Sequence, residues 1–181
     1  VSRVVEVAPA RYPRWRERFD ANNPDGPQRV VAVETFDHDP LGLVLVRRGG
    51  YAIGLARGEV LTAHKTGTRY VQSRTAAGGW SQQRYARRRG NQADELVETV
   101  VRHLGRICPP GSAAGLVVGG DRALAGQVLL APSLLPLADL PRRELWDLPD
   151  PRLTVLQDAL GRGRAVRVTI DDPPSPAQLP G

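Results

Sequence analysis

The chain has 181 residues, 41% hydrophobic and 24% charged, the make-up of a folded globular protein with room for one substantial core. Its formal net charge is +6, and a single cysteine, Cys108, leaves neither an internal disulfide nor a cysteine-rich zinc site. No apolar run approaches the roughly 18–20 residues of a membrane span, and the opening VSRVVEVAPARYPRWRERF lacks a basic stretch followed by an apolar one, so a soluble, cytoplasmic protein with no membrane partner is expected.

Residues 9–21 predict a short helix with Trp15 and Phe19 four apart on one face. The stretch NNPDGP at 22–27 is turn chemistry. RVVAVETF at 29–36 and LGLVLVRR at 41–48 read as strands, and Gly49-Gly50 signals a hairpin into YAIGLARG. EVLTAHKT at 59–66 and RYVQSRT at 69–75 extend the antiparallel run. AAGGW at 76–80 breaks the pattern. A long helical period then runs from an N-cap at Ser81 to about Ile107, with Ala93, Leu96, Val97, Val100, Val101 and Leu104 on one face. Gly90 falls inside it, where a kink or a separate first turn is expected. Beyond Pro109-Pro110 come a buried strand at 115–120, a helix opened by Asp121, and a Pro-rich connection. RRELWDL at 142–148 reads as a strand, followed by a helix with Pro151 at its first position and a strand at 164–170. Hairpins first and alternating helix and strand later predict an α/β fold, a mixed sheet with helices on its faces. One domain over 1–170 is expected, with a Pro-rich, disordered tail over 171–181.

The positive charge is localised. From Val60 to Ala93 there is no acidic residue, and seven cations stand there: Lys65, Arg69, Arg74, Arg84, Arg87, Arg88 and Arg89. Outside this window basic and acidic groups nearly balance. A compositional arginine bias would spread the cations and would not deplete Asp and Glu locally. The footprint suits a polyphosphate backbone, whose counterions are released on binding; a solvated helix face is the alternative. Arg84, Arg87 and Arg88 share one helical face by their spacing. Ahead of them Ser81, Gln82 and Gln83 place uncharged polar groups at a helix N-terminus, where backbone N–H groups are free and the helix dipole is positive.

This window resembles the central domain of eukaryotic and archaeal peptide-chain release factors, in which a GGQ loop precedes a basic helix; Arg84-Tyr85-Ala86-Arg87 matches the arginine pattern of that helix. It is more similar still to the Vms-like branch, through His64-Lys65-Thr66, Arg69-Tyr70, Arg74 and Gly78-Gly79-Trp80-Ser81-Gln82. The resemblance implies the RNase-H-like α/β fold of that central domain and a peptidyl-tRNA hydrolase active in ribosome rescue and quality control. It implies the large ribosomal subunit near the peptidyl-transferase region, ribosomal RNA and peptidyl-tRNA as partners, and a monomer without cofactor. Gln82 would orient water or stabilise the oxyanion, with Ser81 beside it, while Gly78 and Gly79 permit the loop conformation. Lys65, Arg69, Arg74, Arg84, Arg87, Arg88 and Arg89 would bind RNA, and Trp80 would stack on a base or anchor the loop. Trp80 is an insertion relative to the Vms-like loop, so Gln83 stays open as the alternative to Gln82. Cleavage near the tRNA 3′ end is a variant of the same chemistry. A non-catalytic ribosome- or tRNA-binding protein is the rival reading.

Other signals are weaker. GLVVGGD at 115–121 follows a strand but lacks the G-x-G-x-x-G spacing of a dinucleotide fingerprint. His38, His64 and His103 are too scattered for a metal site, and Asp37, Asp39, Asp121, Asp171 and Asp172 fall at turns or in the tail. No metal is expected. Cys108 reads as a small buried apolar residue.

Overall fold

The computed structural model describes the backbone of residues 1–68 and 80–172, and the side chains of all of these except 80–91. In chain order the elements are β1 (Ser2–Val7), α1 (Tyr12–Ala21), β2 (Arg29–Glu34), β3 (Leu41–Arg47), β4 (Gly50–Arg57), β5 (Val60–Thr68), α2 (Trp80–Ile107), β6 (Gly115–Gly120), α3 (Arg122–Leu129), α4 (Leu135–Ala138), β7 (Arg142–Leu145), α5 (Leu153–Arg164) and β8 (Val166–Asp171). They fall into two compact units, residues 38–160 and residues 1–37 with 161–181.

The larger unit is a five-stranded mixed sheet of order β5-β4-β3-β6-β7. β5, β4 and β3 are antiparallel neighbours, whereas β6 runs parallel to β3 and β7 parallel to β6. The strand chemistry sets this order. LGLVLV and GLVVGG are apolar throughout, as central strands covered on both faces must be. On one face Val44, Val46, Tyr51, Ile53, Leu116 and Val118 form a core with Leu96, Val100 and Leu104 of α2 and with Leu124 and Val128 of α3. On the other, Leu156 of α5 meets the sheet at Gly54, where an added Cβ would stand 3.3 Å from its Cδ2. This is the predicted mixed sheet with helices on its faces. The β3–β4 turn is Arg48-Gly49, one residue earlier than the glycine pair suggests, because Gly50 already pairs with Arg47. Gly50 has φ +153° and a Cβ there would lie 2.2 Å from the Gly67 carbonyl oxygen. That close approach explains the second glycine.

The smaller unit is a three-stranded antiparallel sheet of order β1-β8-β2. Its core is Val7, Val166, Val168 and Ile170, with Tyr12, Trp15 and Phe19 of α1 laid across it. Sequence reading anticipates α1, β2 and β8 but not β1, and it anticipates one sheet rather than two. β8 extends to Asp171, and the Asp172 carboxylate accepts from Arg3 and Gln28, so the last described residues are held in this sheet. Residues 173–181, the rest of the expected tail, lie outside the described residues.

The Pro-rich connection after α3 contains a 3₁₀ turn, Pro132–Leu134, and α4, each with proline in its first positions. Leu134 and Leu137 are buried in the core they close. The strand expected over 142–148 stops at Leu145. α5 starts at Leu153, two residues after Pro151 rather than on it.

Candidate functional site

The acid-free window runs from β5 into α2. β5 is the outer strand of the larger sheet, bonded to β4 with Ile53 opposite Lys65 and Gly54 opposite His64. Lys65 and His64 are exposed there. Arg69, Arg74, Gly78 and Gly79 lie outside the described residues. Trp80, Ser81, Gln82 and Gln83 form the first turn of α2, with Arg84, Arg87, Arg88 and Arg89 in the turns that follow. The helix thus begins one residue before Ser81, the expected N-cap, and both glutamines lie in its first turn. α2 is one 28-residue helix through Gly90, about 42 Å long at 1.5 Å per residue. Its packing on the sheet compensates a glycine that would cost an isolated helix roughly 1 kcal/mol.

The division of labour along α2 is visible in its residues. Leu96, Val100 and Leu104 are fully buried and Ala93, Val97 and Val101 pack beside them, as the predicted apolar stripe requires. The four arginines Arg84, Arg87, Arg88 and Arg89 precede Ala93, whereas beyond it the helix alternates this apolar stripe with charged residues, among them Asp94, Glu95, Glu98, Arg102 and Arg106. Leu96 lies sixteen residues after Trp80, about 24 Å along the axis. The first turn holds no acidic residue, so nothing within that turn offsets the partial positive charge of the helix end.

A second contact ties α2 to β5. The Tyr51 ring of β4 stacks on His103 of α2 at 6.0 Å between centroids and 22° between planes. Gly67 of β5 lies against that same ring: a Cβ added there would be 2.4 Å from Tyr51 Cε1. Glycine at 67 is therefore required by the approach of strand to ring. Burial, followed by the charges of Lys65, Arg102 and Arg106, holds His103 below its ordinary imidazole range. Burial raises the Tyr51 phenol while Arg102 opposes it. His103 thus has a packing role, and the three cations that act on it mark a positive field along β5 and the second half of α2. Sequence reading missed Tyr51 and Gly67 because their contact joins two strands and a helix.

The weaker signals resolve into structure. Asp121 caps α3, its carboxylate accepting from the amides of Ala123 at 2.9 Å and Leu124 at 3.1 Å. A Cβ at Gly119 would lie 2.5 Å from the Leu145 carbonyl oxygen, so close strand packing accounts for that glycine. Cys108 is buried, its thiol pushed up by burial and contacted by Ser112 Oγ at 3.5 Å. Asp39 accepts the Gly58 amide of the β4–β5 turn at 2.9 Å. Among the described residues no three His, Cys, Asp or Glu side chains gather as a metal site. Among them, too, no helix is long and apolar enough to cross a membrane.

The family model described as Actinobacteria/chloroflexi VLRF1 release factor matches residues 39–169. Peptide chain release factor subunit 1 of Pyrococcus abyssi (strain GE5 / Orsay) is 34% identical over 86 residues, covering 45% of this chain and 21% of that protein. The protein of the same name from Thermococcus kodakarensis (strain ATCC BAA-918 / JCM 12380 / KOD1) is 31% identical over 86 residues, with the same coverage of 45% and 21%. The match thus spans about a fifth of the length of these curated relatives. A crystal structure of the archaeal translation termination factor aRF1 superposes with a TM-score of 0.45 at 20% identity, covering 66% of this chain and 32% of that one.

Proposed function

The chain belongs to the Actinobacteria/chloroflexi VLRF1 release factor family, and from that premise we propose that it frees nascent peptides from tRNA on stalled ribosomes by hydrolysing the peptidyl-tRNA ester. The observation that carries the reading is the make-up of α2: an uncharged first turn, four arginines within the next two turns, and a second half whose apolar stripe is buried against the sheet. In this reading the buried half fixes the helix and the arginines, with Lys65, Arg69 and Arg74, neutralise RNA phosphates. The first turn, with Gly78 and Gly79 before it, enters the peptidyl-transferase region of the large subunit.

Ester hydrolysis needs water oriented toward the carbonyl carbon and donors for the oxyanion that develops. Water adds to the carbonyl carbon, the bond to the tRNA ribose oxygen breaks, and a proton is delivered to that oxygen. None of these steps requires a strong side-chain base. Gln82 is assigned the orienting role, with Ser81 and the free N–H groups of the first turn as further donors; Gln83 is its one-residue alternative. Trp80 is assigned to stack on an exposed base or ribose. The reaction draws on no cofactor.

The test is single-turnover incubation with ribosome–peptidyl-tRNA complexes, with ribosome binding followed in parallel. Peptide release above the rate of the untreated complex is expected. Binding without release would establish the rival reading, a non-catalytic ribosome- or tRNA-binding protein.

A further inference from the structure

The smaller unit holds a cleft of about 1070 Å³ between α1 and the neighbouring edge of the sheet, lined among others by Arg11, Arg14, Arg18, Trp15 and Phe19. Its volume is at the upper end of the range of small-molecule pockets, roughly 300–1,000 Å³. All the residues that line it lie ahead of residue 39, where the family match begins, so that match assigns it no role.

Two features define what it would hold. The first is charge. Arg11, Arg14 and Arg18 recur at three- and four-residue intervals, which places them along one side of α1 and the 3₁₀ turn before it. All three are exposed, and none forms an ion pair among the described residues. Their neighbour Arg16 is occupied by Asp20 at 2.9 Å. Glu6, the acidic residue of the lining, is already paired with Arg162 at 2.8 Å and Arg167 at 3.2 Å. The cleft therefore presents three uncompensated cations. The second feature is aromatic. Tyr12, Trp15 and Phe19 form a run of near-parallel rings, with centroids 6.1 Å and 5.4 Å apart and planes inclined by 20° and 22°. Their inner sides pack on Val7, Val166 and Val168, yet Trp15 and Phe19 remain half-exposed toward the cleft.

We infer that this cleft is a second RNA-binding surface, taking a single-stranded segment with its phosphates on Arg11, Arg14 and Arg18 and a base against Trp15 or Phe19. A row of cations beside aromatic faces is the arrangement by which single strands are bound without sequence preference, because every phosphate is charged and every base has a face to stack. An acidic peptide would satisfy the arginines but leave the rings unused. The choice of RNA rests on the proposed release function; the cationic and aromatic character of the cleft stands without it.

The experiment uses the full chain carrying R87A/R88A/R89A, so that the cleft is read against a weakened basic helix. Fluorescence anisotropy with a fluorescein-labelled dodecauridylate is recorded between 50 and 300 mM KCl. Adding R11A/R14A/R18A is expected to weaken binding by on the order of tenfold or more and to reduce the salt slope by about 2, since each single-strand phosphate contact contributes about 0.7. R11K/R14K/R18K, which keeps the charge, is expected to retain most of the slope, which separates lost charge from lost folding. Unchanged affinity and slope in the alanine variant overturn the inference. So does competition by polyglutamate of matched charge that equals competition by unlabelled RNA, which would assign the cleft to an acidic peptide. Peptide release by R11A/R14A/R18A in the otherwise native chain, assayed at saturating protein, reads the release function separately: the cleft can fail its test while release persists.

Discussion

Gln82 and Gln83 are adjacent in the first turn of α2, so their positions around the axis differ by about 100°. In the proposed mechanism only one of them faces the reacting ester. Gln82→Ala is expected to lower single-turnover release by on the order of 10²–10³, the usual cost of one positioned hydrogen-bonding group. Ribosome affinity should be retained, because a neutral amide contributes little to phosphate contacts. Gln83→Ala should be much milder. Near-native rates for both variants would reject a glutamine-dependent mechanism, and a severe loss for Gln83→Ala alone would move the role by one residue. A different kind of dependence is expected at Gly67. Its added Cβ would stand 2.4 Å and 2.7 Å from two atoms of the Tyr51 ring, and that ring is buried and stacked on His103. Gly67→Ala is therefore an overpacking change of roughly 1–3 kcal/mol, visible as a melting temperature lowered by about 2–12 °C at this chain length. Combining it with Tyr51→Leu should recover part of the loss; strict additivity of the two changes would show that Gly67 and the ring are not in conflict.

The elements differ in how far the sequence discloses them. The buried stripe of α2 was legible because Leu96, Val100 and Leu104 follow the helical period and all pack on one core. β3 and β6 were legible as unbroken apolar runs bounded by turn residues. β1 was not, since Val7 is its one buried residue and its partner β8 begins more than 150 residues later; a local pattern carries little trace of so distant a pairing. α4 was hidden by its proline, Pro136, which signals a loop but also fits the first turn of a short helix. In the candidate site, the charge and polar pattern of α2 could be read in one dimension. The stacking of Tyr51 on His103 could not, because it joins residues about fifty positions apart in the chain; the cleft beside α1 is local in sequence, but it opens between a predicted helix and a strand, β1, that the sequence did not disclose. The basic turns of α2 carry their own prediction. R87A/R88A/R89A should weaken ribosome association and flatten its dependence on salt by about 2–3 in log–log slope, if each arginine meets one phosphate. An unchanged slope would make those turns a solvated surface.

At the scale of the whole molecule, the positive excess belongs to one contiguous segment, whose seven cations stand in a chain that elsewhere has 18 basic and 19 acidic residues. That segment leaves an edge strand and enters a helix whose far half is fixed in the core. The arrangement gives a rigid support for a polar tip with cations behind it, and the acid-free window keeps repulsive carboxylates away from phosphates. The central claim is that this tip promotes attack of water on an ester and leaves the polynucleotide intact. The measurement that tests it most directly is a single-turnover reaction on ribosome–peptidyl-tRNA complexes in which the peptide and the tRNA 3′ end are resolved in the same sample. The account predicts free peptide together with full-length tRNA, both lost in Gln82→Ala. Peptide still attached to terminal nucleotides, with tRNA shortened to match, would contradict it and assign the chain to cleavage of the tRNA itself.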